Sequence, residues 1–406
     1  MKTAKPLPLE GIRVMDLGQF IAMPFCTLWL AWLGAEVIVV ESRKRSTART
    51  APPFAEGHDR DFNASGYFNF LNAGKKSCAV DMTTAAGRDI VRQLAGKVDV
   101  VVDNFSTGVL EKLGLGYESI VKLHTTVIMA SNGALGRTGP MRNSRGLHSA
   151  VNLFSGVADV TGYDGGHPRI LGGVIPDPLS GTYSNFAILA ALHHRNRTGE
   201  GQFIDLAMYE AMMTLIPEAV IDYTLNGVEP ERVGSRDSMK APHGIYRCKD
   251  DDTWLALSVA SDEEWMALCG VAQRPEWAAD ARFKTADARQ KNVAALDLAV
   301  EGWTRGQQVH AATDALQAAS VAAGPVLRID ELLDDAQLNE RGLVITTDHP
   351  VVGKRCQLGI PWRMDSLGIN YQHAPLVGEH THQTLTELIG IDAATYARLE
   401  ADGVLA

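Results

Sequence analysis

The residues best suited to do chemistry lie in one short run, Gly172-Gly173-Val174-Ile175-Pro176-Asp177-Pro178-Leu179-Ser180-Gly181. Its single carboxylate, Asp177, stands between two prolines. Pro176 fixes its own φ, and Pro178 biases the residue before it toward an extended conformation. Helical periodicity follows, with Phe186, Ile188, Leu189 and Leu192 on one face, and Ser180 reads as the N-cap. Asp177 is therefore expected on a short connection just before a helix, where glycines let backbone amides approach a ligand. Local chemistry leaves two readings open: a turn or capping acid, or a nucleophile or base.

The elements that must position this acid read as an α/β fold. Gly11 to Leu17 and Glu36 to Glu41 are apolar strands, and Ala22 to Leu33 between them is a helix with Pro24 near its start. Strand–helix–strand order implies parallel pairing through a right-handed crossover. Glu41 at the end of the second strand is a feature of dinucleotide folds, yet the first crossover reads Gly18-Gln19-Phe20-Ile21-Ala22 and lacks GxGxxG, which disfavours a nicotinamide oxidoreductase. Further strands are expected at Val98–Val102, Thr126–Ser131 and Phe203–Leu206, with helices over Ala85–Leu94 and Met208–Leu225. Residues 228–240 read as a linker. Beyond it, Gly244–Arg247 and Trp254–Val259 pair around an Asp250-Asp251-Asp252 turn, and helices fill Glu263–Gly270, Thr285–Trp303 and Gln307–Ala319. The triple aspartate lacks the spaced ligands of a calcium loop. The organisation expected is a large domain, open and Rossmann-like, from residues 1–227 and 326–406, with a smaller α+β domain at 241–325.

Bulk properties narrow the classes. The 406 residues are 46% hydrophobic and 21% charged, with a net charge of −10, so nothing points to nucleic acid. An acidic chain that binds an anion must gather its basic residues locally, and Ser42-Arg43-Lys44-Arg45 with Arg49, and Arg137, Arg142 and Arg145, are such gatherings. Five cysteines without CxxC spacing argue against a disulfide framework or zinc site. No apolar run has membrane-spanning length, and Met1 to Glu10 lacks the apolar core of a signal peptide, so a cytoplasmic protein is expected.

From Pro176-Asp177-Pro178-Leu179-Ser180-Gly181 through Arg195–Gln202 to Glu210, the chain resembles the family III CoA-transferases, the group of formyl-CoA and carnitine CoA-transferases. The opening strands, Asn72–Asp81, Asn104-Phe105-Ser106-Thr107-Gly108, the glycine-bearing loop from Asn132 to Arg145 and the tail Pro375–Thr381 are similar to the family's pattern in the same order. The resemblance implies that Asp177 is the nucleophile. It also implies that Arg43, Val80, Asp81, Met82, Thr83, Asn104, Phe105, Ser106, Lys112 and Arg145 belong to the CoA site. Thr107 and Lys112 depart from the proline and arginine usual there, and Lys112 holds a phosphate as a point charge without a bidentate fork. Glu379 and His380 read as structural.

The same resemblance implies an acyl-CoA and a carboxylic acid as partners, CoA as substrate with no prosthetic group or metal, and an interlocked homodimer. Transfer would run through an anhydride and an aspartyl-CoA thioester, in a site that excludes water. Two alternatives remain. One is an acyl-CoA racemase or isomerase of the same fold, whose histidine base falls by register on Leu147, one residue from His148. The other is a catalytically silent CoA-binding protein.

Overall fold

Val14 and Met15 are both fully buried yet face opposite ways, and this alternation builds the large sheet. In the computed structural model, which describes residues 5–44, 46–146 and 148–405, six parallel strands lie in the order β3-β2-β1-β4-β5-β6. They are β1 (Arg13–Asp16), β2 (Glu36–Glu41), β3 (Lys76–Ala79), β4 (Val100–Asp103), β5 (Ile128–Gly133) and β6 (Gln202–Ala207). Met15, Ile38, Val101 and Met129 pack on one face with Ile90 and Leu94 of a helix, and Val14, Val37, Val100 and Ile128 pack on the other. Strands buried on both faces need such near-continuous apolar runs.

The helices of this part are α1 (Ala22–Trp32), α2 (Gly66–Leu71), α3 (Ala85–Ala95), the single turns α4 (Val109–Lys112) and α5 (Tyr117–Ile120), α6 (His148–Phe154), the turn α7 (Val157–Val160), α8 (Pro176–Thr198), α9 (Met208–Met213) and α10 (Pro217–Asn226). Three expectations are corrected. The long helix starts at Pro176, not Ser180, so Asp177 lies inside its first turn. Proline is at ease there because the amide it lacks would have no intrahelical partner. The expected helix over Met208–Leu225 is two, broken where Pro217 begins α10. Thr285–Trp303 is also two helices, Ala286–Lys291 and Val293–Thr304, with Asn292 off helical geometry between them.

The chain divides into two units. The first comprises residues 1–158, 170–228 and 340–406, and the second residues 159–169 and 229–339. The first is closed by its C-terminal segment. Thr381 Oγ1 accepts from the Ala79 amide at 2.9 Å, and the Val404 and Gly403 carbonyls accept from the Asp81 amide and Lys44 Nζ at 2.8 and 3.0 Å. Glu379 and His380 accept backbone amides of Leu376 and Ser77, contacts that hold the segment in place. The second unit has an antiparallel sheet, β7 (His243–Arg247), β8 (Trp254–Ser258) and β9 (Ala322–Pro325), packed with Trp265, Leu268, Leu296, Val300 and Leu316 into its own core. No helix among the described residues is long and apolar enough to cross a membrane.

Candidate active site

The strand order reverses between β1 and β4, and in open parallel sheets ligands bind at the carboxyl ends of the strands flanking such a switch. Here the crevice is bridged. Asn104 Oδ1, just beyond β4, accepts from the Gln19 amide at 2.6 Å, and Asn104 Nδ2 donates to the Gln19 carbonyl at 2.7 Å. Both backbone polar groups of one residue are thereby held, and the crossover that leads into α1 is fixed.

That crossover is pinned a second time from below. Asp16, fully buried at the end of β1, accepts from the Gly18 amide at 2.8 Å, from Thr27 Oγ1 at 2.5 Å and from Lys75 Nζ at 3.1 Å. Lys75, equally hidden, also donates to the Pro24 carbonyl at 2.9 Å and Asn72 Oδ1 at 3.0 Å. A side chain at Gly18 would meet Met23 Cβ at 2.6 Å and Asp16 Oδ1 at 2.7 Å, so only glycine fits this turn.

α8 lies directly on the start of α1. A Cβ at Gly181 would fall 2.5 Å from the Ala22 carbonyl oxygen, and one turn on Asn185 Nδ2 donates to the Cys26 carbonyl at 3.0 Å. This close crossing carries Asp177 to the Ala22 amide. Behind Asp177, its carbonyl accepts from Ser180 Oγ at 3.0 Å, and Ser180 Oγ accepts from Asn132 Nδ2 of β5 at 3.0 Å.

The carboxyl is mostly buried, and its Oδ2 has no hydrogen-bond partner among the described residues. Burial pushes its pKa up from 3.8 to about 6, against the opposing pull of the His148 imidazole and of the Asp177 and Ala22 amides. His148 Nδ1 stands 3.9 Å from Oδ2. Burial first, and then the Asp177 charge, push the Tyr67 phenol up to about 12, and the Tyr67 ring lies 5.2 Å from that of Phe20. Sequence reasoning misses Tyr67 and Lys75: a tyrosine in a short helix and a lysine in a turn carry no local sign of such partners. Register alone disfavours His148. Leu147, where the racemase histidine would fall, lies outside the described residues, as does Arg45.

The other residues expected at the CoA site separate into groups. Asn104, Phe105, Ser106 and Arg145 come together on a cavity of about 600 Å³, with Arg142 on the same wall. Ala134 lines this cavity and also packs into the apolar cluster of Ala22, Ile175, Leu179 and Met212 around the start of α8. Val80 points into the core, and Met82 packs against it. Asp81 is taken up by Thr83 and by Lys44, and these bonds, Thr83's hydroxyl first, hold its carboxyl below the ordinary range. Arg43 is exposed and donates to the Val377 carbonyl at 3.4 Å, and Lys112 is exposed at the end of α4.

Two arginines expected to meet an anionic ligand are already engaged. Arg49 is buried in a two-pronged pair with Glu41, at 2.6 and 2.8 Å, and its guanidinium lies over the Phe68 ring. Arg137 is bound to Asp103 and to the Phe105 carbonyl. Both are structural because Arg presents several donors at once and a buried carboxylate demands them.

The sequence profile described as CoA-transferase family III matches residues 9–381. The succinyl-CoA–D-citramalate CoA-transferase of Chloroflexus aurantiacus is 32% identical over 403 residues, 98% of each chain. The succinyl-CoA:mesaconate CoA-transferase of Haloarcula marismortui is 32% identical, over 97% of this chain and 99% of its own. A CaiB/BaiF family protein from Brucella suis has a crystal structure that matches with a TM-score of 0.87 at 32% identity, covering 95% of this chain and all of the other. With a match along almost its whole length in both sequence and fold, the chain belongs to CoA-transferase family III and is an enzyme of the transferase class.

Proposed function

We propose that the protein moves CoA from a dicarboxylyl-CoA, of which succinyl-CoA is the type, to a second carboxylic acid through a covalent intermediate on Asp177. The observation that carries this reading is the Asp177 carboxylate, buried at the first turn of α8 with one oxygen left unbonded. No donor among the described residues competes for the lone pairs of that oxygen. The helix N-terminus and the Ala22 amide still keep enough charge on the group to make it a nucleophile.

The chemistry follows in balanced steps. An Asp177 oxygen adds to the thioester carbonyl, the C–S bond breaks, and CoA leaves as thiolate from a mixed anhydride. The thiolate adds to the Asp177 carbonyl carbon, which releases the donor acid and leaves an aspartyl-CoA thioester. The acceptor carboxylate then repeats the sequence in reverse. CoA is substrate throughout. The names of the relatives support a dicarboxylate, as do Arg142 and Arg145, exposed on the wall of the cavity that Asn104, Phe105 and Ser106 line. We assign CoA to Arg43, Thr83, Lys112 and this cavity.

Two copies are proposed to interlock, and α10 supports this: it buries none of its ten residues, and Val220, Ile221, Tyr223 and Leu225 are all exposed. A helix with that many uncovered apolar side chains marks an interaction surface. The smaller domain is proposed to span residues 241–325, a reading supported by the separate core of Trp265, Leu296 and Leu316.

The test is to trap the intermediate. Incubation with succinyl-CoA, then hydroxylamine or borohydride, is expected to modify Asp177 in the peptide that carries it. A panel of ¹³C-succinate, mesaconate, glutarate and oxalate as acceptors, read by mass spectrometry, would name the acid. Full transfer with an unmodified Asp177 would rule out the covalent route, and deuterium uptake at the α-carbon without any acceptor would indicate a racemase instead.

A further inference from the structure

His148 has no part in the steps above, yet its Nδ1 lies 3.9 Å from the Asp177 oxygen that has no partner. That separation is too long for a hydrogen bond. The imidazole therefore stands beside the nucleophile without being tied to it. Its side chain is 32% exposed against 13% for Asp177, so it lies on the open side of the pair. It is also held in place: it opens α6, whose Asn152 is fully buried and donates to the His148 carbonyl, and α6 packs on α8 and α9 through Val151 and Met212.

In the resting enzyme the Asp177 carboxylate is the anion that faces this imidazole. Once Asp177 is an aspartyl-CoA thioester, as the proposed function requires, that charge is gone and the imidazole N–H is left without its anion. The next group that must come within bonding distance of the Asp177 carbonyl carbon is another carboxylate. We propose that His148 receives the attacking carboxylate of the acceptor acid, donating from Nδ1 to the oxygen that does not attack. The other oxygen bonds to the Asp177 carbonyl carbon, the C–S bond breaks, and CoA thiolate departs. The imidazole thus faces the Asp177 carboxylate in one state and binds the acceptor carboxylate in the next, and a carboxylic acid is preferred over water because water has no second oxygen to hold.

This inference rests on the aspartyl intermediate, and the experiment separates the two. Wild type, His148→Ala and His148→Asn are compared as full-length proteins, with succinyl-CoA as donor and the best acceptor of the panel. An asparagine amide places an N–H close to the position of Nδ1. Expected for His148→Ala are an Asp177–CoA adduct that still forms and builds up during turnover, and an acceptor KM raised by about tenfold to a hundredfold, as loss of a hydrogen bond to a charged group implies. His148→Asn is expected to recover most of that KM. An adduct in all three proteins with unchanged acceptor KM in His148→Ala would overturn the role of His148 alone. Equal loss of adduct formation in both variants would also overturn it, in favour of a purely structural histidine. Absence of any adduct in wild type would overturn the covalent reading and this inference together.

Discussion

Two buried carboxylates flank the same crossover and are treated in opposite ways. Asp16 accepts from the Gly18 amide, from Thr27 and from Lys75, all inside the protein. Asp177 has the Ala22 amide, its own amide and a distant imidazole, and one oxygen is left unbonded. A fully partnered buried charge holds its surroundings rigid, whereas a half-partnered one stores free energy that a reaction can release. The two are linked, because the loop that Asp16 fixes is the loop that delivers the Ala22 amide to Asp177. Reactivity here depends on what is withheld from Asp177 as much as on what surrounds it.

The sharpest way to break the contrast is to remove the reactive member. Asp177→Ala is expected to lower the transfer rate by about 10⁴-fold, or about 5.5 kcal/mol of transition-state stabilisation, while CoA binding, read by calorimetry, persists. Next in size is the structural pair. Lys75→Met leaves the Asp16 carboxylate buried without its cation and is expected to cost about 3–5 kcal/mol in a denaturant titration. Adding Asp16→Asn should return part of that loss.

The two carboxylates should also part company with pH. Asp177 titrates higher in the folded protein, at about 6, than the 3.8 of an unburied aspartate. Between those values the folded state binds the extra proton, so stability falls as pH rises from about 4 to 6 and stays low above. Asp177→Asn should therefore match wild type near pH 4 and exceed it by on the order of 3 kcal/mol above pH 7, because each pH unit between the two values is worth about 1.36 kcal/mol. The transfer rate runs the other way: the nucleophile must be ionised, so the rate should climb about tenfold per pH unit below 6 and level off above it. A flat wild-type rate from about pH 5 to 7.5 would remove Asp177 from the rate-determining ionisation.

The smallest effect tests the contact between the two regions. Gly181→Ala sets a methyl against the Ala22 carbonyl at 2.5 Å, so α8 must move off α1. A destabilisation of about 1–3 kcal/mol is expected, with a fall in kcat that exceeds any change in CoA affinity. If kcat were unchanged, the close crossing would not be what places Asp177.

Much of the fold is legible in the sequence because it is local. Glu36–Glu41 is a strand with the bounds of its apolar run, and α1 begins at Ala22 as expected. Asn104, Phe105, Ser106 and Arg145 do share a cavity. The start of α8 differs from expectation because the restriction that Pro178 places on its predecessor yields to the packing of α8 on α1 through Gly181 and Asn185, a tertiary contact no window of sequence contains. Lys75 and Asp16 lie 59 positions apart, and Arg137 and Asp103 34. A basic residue on a loop reads the same from sequence whether it greets a ligand or is already bound to a carboxylate. Register along a single helix disfavours His148, whereas its actual neighbour is set by how α6 meets α8.

The last stretch of the chain reaches back to its beginning, and this bears on how the protein is made. Thr381, Gly403 and Val404 supply partners to Ala79, Lys44 and Asp81, and Pro375 supplies one to Arg49. Until those residues are made, the groups they partner stand open, and residues 229–339, which carry a core of their own, intervene along the chain. Docking of the segment from Pro375 onward, more than 300 positions from the groups it meets, is expected to be the slow step when the first unit refolds.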